Sequence, residues 1–431
     1  MAPARQQLRV IWCLSQLQFF AVSAGPWTRP RSYDAQRVAT PIQIDGDIYT
    51  PEWEEVPWSE NFVDIQGEDA PQANRPTAKT RTRMKMRWDD QFLYIAAEMS
   101  AHDWPIIADQ TQTNSVIFST DSDFEVFLDT DESNYNYKEL EMNAHNTVWN
   151  LLLDKPYSDG GSEHSARVAK PGDAKYWEVG HQKTGAKMFG VLGKPNPDGK
   201  WTAEIALAHS DSTDRTKAAT PTVGKFWRIN FSRVEKKGKL NWVWSPQMLW
   251  SPTQHRSVGT VAMHYPDVWG YVHFVEPSPG SPASSWTDPQ WPLKAAASQL
   301  FFAEELAVKE TGTAVSLSVL KEKLWVNPST ISAYHPEIVI SGSGKAWSAK
   351  LRDKHGCAAH INGEHGLKTQ CTEALLASHP SYVTVPTSHF YPVIVTFIII
   401  SWAVVCWFGF ERMLQSARDG RLQPDRGAKA S

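Results

Sequence analysis

Glu125 and Glu141 sit in two neighbouring strand-like runs. Glycoside hydrolysis uses such a pair, two carboxyls about 5 to 10 Å apart, one with a raised pKa. In the first run Phe124, Val126 and Leu128 alternate with Glu125 and Asp129. In the second, Leu140, Met142 and Ala144 are opposed to Glu139, Glu141 and Asn143. Residues 129–134, Asp-Thr-Asp-Glu-Ser-Asn, make the turn of a hairpin with one acidic, amide-rich face. Asp123, Asp129 and Asp131, with Glu132, offer hard oxygen ligands around that turn, although their spacing is not that of an EF-hand and a solvated turn has the same composition. No GxSxG elbow, HExxH helix or deep-cleft motif accompanies the carboxylates. The chain therefore reads as a binding protein, with hydrolase activity on O-glycosyl bonds as the enzymatic alternative.

The second chemical signal is aromatic. The chain has 20 tryptophans in 431 residues, and an indole offers a broad apolar face with a donor at its edge. Sugar rings have the complementary shape, an apolar face rimmed by hydroxyls. Trp88, Trp201 and Trp227 lie inside strand-like runs and are expected in the core, whereas Trp149, Trp244 and Trp250 flank turns and are open to either role.

These residues must be positioned by short strands. Alternation predicts strands at 82–88, 92–99, 124–128, 140–142, 201–206, 226–233 and 242–245, separated by Gly, Pro, Asn and Asp. Many short strands with few helical patterns imply two packed antiparallel sheets. The expected fold class is mainly β: an antiparallel, jelly-roll-like β-sandwich over residues 41–276, a small α+β accessory region at 293–376 and one transmembrane helix. Residues 277–292 are rich in Pro, Ser and Gly and read as a linker. Apolar residues at near-helical spacing in 294–309 open the accessory region.

The two ends carry hydrophobic runs. Residues 1–24, with Arg5 and Arg9 before an apolar run and small residues at its end, read as a signal peptide. Residues 390–410 are uncharged and long enough to span a bilayer; 377–389 form a stalk, and the arginine-bearing tail 411–431 is placed in the cytosol. The expected localisation is thus a single-pass type I membrane protein with its ectodomain extracellular or in the secretory lumen. In that compartment Cys357 and Cys371 are expected to form a disulfide; a metal site with His355, His360 and His365 is the competing reading, but fits no tight zinc template. The formal net charge of −4 and the lack of a dense basic patch argue against nucleic acid as partner.

Several strings in this order resemble the family 9 carbohydrate-binding modules, the sugar-binding β-sandwiches often attached to xylanases. They are IDG at 44–46 with Trp53 after it, WDDQFLYIAA at 88–97, FEVFLD at 124–129, NTVWNLL at 146–152, PYSDGG at 156–161, WTAEIAL at 201–207, WRINFSRVE at 227–235 and WSPQ at 244–247. The resemblance implies binding of a glucan- or xylan-type oligosaccharide or polysaccharide on a concave sheet, with a role in carbohydrate catabolism. Matched strand by strand, it places sugar contacts at Glu125, Asn230, Gln247 and Trp250. Two departures stand out: a second stacking tryptophan falls on Ser119, and a strand arginine falls on Glu141. Trp104 or Phe118 is then the expected substitute platform and Arg228 the substitute cation, because cross-strand Glu125 and Glu141 would otherwise repel each other. The family also implies structural calcium, for which Asp123, Asp129 and Asp131 are the candidate ligands. Related sandwiches that hold haem between methionine and histidine make Met142, Met248, His145 and His255 a further, weaker reading as a redox module. Asn230 opens the sequon Asn-Phe-Ser, and its place within a strand predicts that it carries no glycan.

Overall fold

The computed structural model describes residues 28–371. The alternating stretches become strands: β1 (Ser32–Arg37), β2 (Val63–Asp64), β3 (Thr82–Trp88), β4 (Phe92–Ser100), β5 (Asp123–Asp129), β6 (Tyr137–Asn143), β7 (Val148–Leu153), β8 (Lys183–Phe189), β9 (Lys200–Ala208), β10 (Phe226–Glu235) and β11 (Leu240–Val243). After them come the hairpin β12 (Met248–Ser251) and β13 (Arg256–Gly259), and then β14 (Gly270–Val275). Twelve of these join one curled sheet, ordered β7-β6-β5-β10-β14-β1-β3-β4-β9-β8, with β11 added to β10 and β2 to β11.

The curl folds the sheet onto itself. Phe124, Val126, Leu128, Leu140 and Met142 from one half share a buried cluster with Met84, Met86, Trp88, Trp201 and Ile205 from the other. Trp88, Trp201 and Trp227 are buried in it, so the strand tryptophans are core residues. Each large apolar side chain so buried contributes about 1.5–3 kcal/mol.

Two parts of the expected architecture are corrected. The sheet is not wholly antiparallel: β1 runs parallel to β14 on one side and to β3 on the other. Long connections separate β1 from both partners, and a long crossover is what a parallel pair needs. Nor is a membrane helix seen, because no helix among the described residues is long and apolar enough to cross a bilayer. The run 390–410, on which that expectation rested, lies outside the described residues, as do residues 1–24, 372–389 and 411–431.

Residues 277–292 lie against the sheet as a strap. The Asp34 amide donates to the Ala283 carbonyl at 2.8 Å, Asp34 Oδ2 accepts from the Ser285 amide and hydroxyl, and Trp286 stacks on His273 with ring centroids 4.9 Å apart. Helix α1 (Trp291–Thr311) follows, ended by Gly312 at φ +84°, a left-handed cap that glycine adopts without a Cβ clash. The apolar side of α1 packs on a four-stranded antiparallel sheet, β15 (Glu337–Ile340), β16 (Trp347–Arg352), β17 (Ala358–Asn362) and β18 (Leu367–Gln370), through Leu300, Phe301, Trp347, Leu351 and Ile361. The Cys357–Cys371 disulfide is present and joins the ends of the β17–β18 hairpin.

Candidate functional site

The outer face of β5–β6–β7 is set by period-2 geometry: side chains that do not enter the main core point the other way. Register aligns them in rows across the strands. Glu125 opposes Glu141, which opposes Trp149; Phe127 opposes Glu139, which opposes Leu151; Asp123 opposes Asn143. On the other side of β5, Ser232 opposes Glu125 and Asn230 opposes Phe127. The alternation placed Glu125, Glu139, Glu141 and Asn143 on one face, and the register aligns them there.

That face is largely covered. Ile65, Ile117, Val243, Met263 and Trp269 join Phe127, Tyr137, Trp149 and Leu151 in a second buried cluster. Beneath it Asp123, Glu125 and Glu141 are at most 3% exposed, and one oxygen of each lies within 4.8 Å of the others. Burial pushes the Glu125 carboxyl up to about 7. It raises Asp123, Glu139 and Glu141 as well, and the negative charge of Glu125 adds to the shift in each. With both carboxyls sealed, a sugar has no route between Glu125 and Glu141 in this conformation, which is the geometry a glycosidase would need.

One edge of the face stays open. Phe118 is 41% exposed and stacks on Trp149 at 6.3 Å with an interplanar angle of 20°. The Phe118 amide donates to Glu141 Oε2 at 3.2 Å. Arg167 lies over the Trp149 ring, 4.4 Å from its centroid, and pairs with Glu163. Tyr157, 44% exposed, packs edge-on against His264. Partial burial and then the charges of Glu139 and Glu163 hold the Tyr157 hydroxyl above its usual range. Exposed aromatic faces, a guanidinium and a carboxylate thus converge at one rim.

The expected sugar contacts are placed differently. Asn230 is fully buried and clamps the chain, accepting from the Ser245 amide at 2.9 Å and donating to its carbonyl at 2.8 Å. The sequon asparagine is thus inaccessible. Gln247 is also buried, with Nε2 on the same carbonyl. Trp250 is 7% exposed and donates to the Trp325 carbonyl at 2.8 Å, so it anchors the accessory region. Trp250→Ala is accordingly expected to lower stability by about 3–5 kcal/mol in chemical denaturation, the usual cost of emptying a buried tryptophan site. Arg228 is no free cation, because it is buried against Asp129 and Asn134. Trp104 is half-buried, edge-on to Trp242 at 6.3 Å with Lys236 over its ring.

The aspartates expected to hold calcium do not converge. Asp123 and Asp129 occupy opposite ends of β5, roughly 20 Å apart along the strand. Asp129 pairs with Arg228, and Asp131 accepts from the Ser133 and Lys217 amides. The turn meets a cation all the same, supplied by the protein: Lys294 of α1 pairs with Glu132 at 2.5 Å and Asp288 at 2.9 Å. The acidic turn is therefore where the accessory region docks, with Asn134 Nδ2 donating to the His365 carbonyl at 2.9 Å.

The rim residues Tyr157, Glu163 and Arg167 were not singled out from the sequence. The PYSDGG string contained Tyr157, but nothing in the sequence marked Arg167 as the guanidinium of this face.

No protein-family model matches this chain, and no curated protein matches it. Among solved structures it is similar to a Bacteroides uniformis protein proposed to bind carbohydrate, at 16% identity and TM-score 0.40 over 57% of this chain and 99% of that one. It is also similar to a family 9 carbohydrate-binding module from Caldicellulosiruptor kristjanssonii. The complex with glucose gives 17% identity and TM-score 0.34 over 57% of this chain and 97% of that one. The complex with cellotriose gives 15% identity and TM-score 0.34 over 59% and 98%.

Proposed function

We propose that this protein binds carbohydrate at the open rim of the β5–β6–β7 face. The observation that carries this reading is the pair of large aromatic side chains left exposed there, Phe118 and Tyr157, beside an arginine held in place by Trp149 and Glu163. An aromatic face takes the apolar side of a pyranose ring, and Arg167 and Glu163 have the charge and hydrogen-bonding capacity to fix its hydroxyls. The string of sequence resemblances supports a glucan- or xylan-type oligosaccharide as the ligand. The Cys357–Cys371 disulfide supports an oxidising compartment as the place of work. Affinity that rests on these few contacts is expected to be weak.

A glycan array followed by calorimetric titration of the full chain tests this. Tyr157→Ala and Arg167→Ala are each expected to weaken binding of the best glycan by about 1–3 kcal/mol with folding intact. Unchanged affinity in both folded variants would remove the rim from the site.

A further inference from the structure

We propose that the outer face of the accessory sheet is a second ligand site, which binds an acidic oligosaccharide of the uronic-acid type through a row of cations on β16, β17 and β18. Register builds the row: Lys350 opposes His360, which opposes Lys368. The alternate residues Ala349, Ile361 and Leu367 are buried in the cluster under α1, so the three basic side chains share the opposite face, within about 10 Å at the usual strand spacing. They line an open cleft of about 500 Å³, a volume in the range of ligand pockets, and Ser133, Tyr135 and Lys217 from outside the accessory region line it too.

The charge of this cleft is uncompensated. Among the described residues, Lys217, Lys350 and Lys368 have no ion-pair partner, and the one carboxylate in the lining, Glu337, is paired with Arg352 at 2.6 Å. Partial burial and then the charges of Lys350, Lys368 and Arg352 hold the His360 imidazole below its usual range, so the positive field is felt inside the row itself. In a chain of net charge −4 this concentration is local, and it calls for an anion. Asn362 adds a neutral donor: its Oδ1 is taken by the Glu364 and Gly366 amides, which leaves Nδ2 for a hydroxyl. The choice of a sugar over another anion rests on the reading of the rim. Cleft and rim flank one seam, because Tyr135 donates its hydroxyl to the Glu364 carbonyl while the Glu364 carboxylate pairs at 2.9 Å with Lys155, two residues before Tyr157. A uronic-acid chain meets both demands, with pyranose faces for the rim and a carboxylate on each ring for the row.

The test titrates the full chain with an oligogalacturonate and with its fully methyl-esterified, uncharged counterpart, at low and at high salt. The free acid is expected to bind at least about fivefold more tightly than the ester at low salt, the sum of a few exposed charge pairs, and to lose that advantage at high salt. Lys350→Gln/Lys368→Gln is expected to erase the preference while leaving the thermal midpoint and ester binding unchanged, and Lys350→Arg/Lys368→Arg to retain it. Bound oligogalacturonate is expected to raise the His360 pKa, read from its imidazole resonances, since a neighbouring anion favours the charged ring. Equal binding of acid and ester, or a preference that survives in Lys350→Gln/Lys368→Gln, would overturn the proposal. A polyglutamate of equal charge that binds as tightly as the oligogalacturonate would also overturn it, by assigning the cleft to acidic peptides. The rim fails separately: Tyr157→Ala and Arg167→Ala are read on the uncharged ester, and the preference for acid is expected to persist in both.

Discussion

Arg228→Met is expected to destabilise the protein by about 3–5 kcal/mol, because it leaves a buried carboxylate without its partner. Arg228 and Asp129 are 1% and 0% exposed and meet at 2.5 Å between Nη2 and Oδ2; the same nitrogen donates to Asn134 Oδ1 at 2.6 Å. Asp129 Oδ2 also accepts from the Asn134 amide, so this pair fixes the turn on which the accessory region docks. Removing both charges should cost much less than removing one: Arg228→Met/Asp129→Leu is expected to recover a large part of the loss. Denaturant titration of the three variants measures it. A single variant within about 1 kcal/mol of wild type would contradict the buried pairing. The same variant separates two roles for Arg228, since a sugar-binding cation would lose affinity at little cost in stability.

The second large effect is expected at His365. It is buried between two carboxylates, Nδ1 at 2.7 Å from Asp159 and Nε2 at 3.1 Å from Asp267, with its ring stacked on Phe301 at 3.6 Å. Ser298 of α1 donates to the same Asp267. Burial alone would push the imidazole down, but Asp267 and then Asp159 outweigh it and raise His365 to about 9. The folded chain therefore holds this proton more tightly than the unfolded chain does. Its contribution is complete below about pH 6.5, the ordinary histidine value, and is lost as pH rises through about 9. The shift corresponds to roughly 3 kcal/mol. His365→Gln is expected to flatten the fall in stability across that window, and wild type and variant with equal slopes would refute the latch. Asp159 belongs to the PYSDGG string, so part of that turn is occupied in holding the accessory region to the sheet.

The strands were legible where alternation is strict. The expected run 82–88 is β3, and 124–128 lies inside β5. Alternation also put Glu125, Glu139 and Glu141 on the face away from the main core. It could not tell whether that face is open, because its cover comes from Ile65, Ile117, Met263 and Trp269, which lie in stretches without periodicity. The turn at 129–134 misled for a related reason. Its acidic residues look ready for a metal ion, yet their cations are Arg228 and Lys294, 99 and 162 residues away in the chain. Composition likewise made a linker of 277–292, whereas Trp286 gives that segment an anchor that few other residues could supply. Trp250 shows the limit of matching by position: a tryptophan at the expected place faces a neighbouring element, with its indole donor already spent.

The central claim is that carbohydrate binds at the rim formed by Phe118 and Tyr157 and not at the positions buried around Trp250. The most direct test is calorimetric titration of one array-selected oligosaccharide into wild type, Phe118→Ala and Trp250→Ala, each checked for folding. The rim account predicts that Phe118→Ala weakens binding by about 1–3 kcal/mol and that the folded fraction of Trp250→Ala binds as wild type does. Loss of binding in folded Trp250→Ala, with Phe118→Ala unaffected, would contradict it and return the site to Trp250.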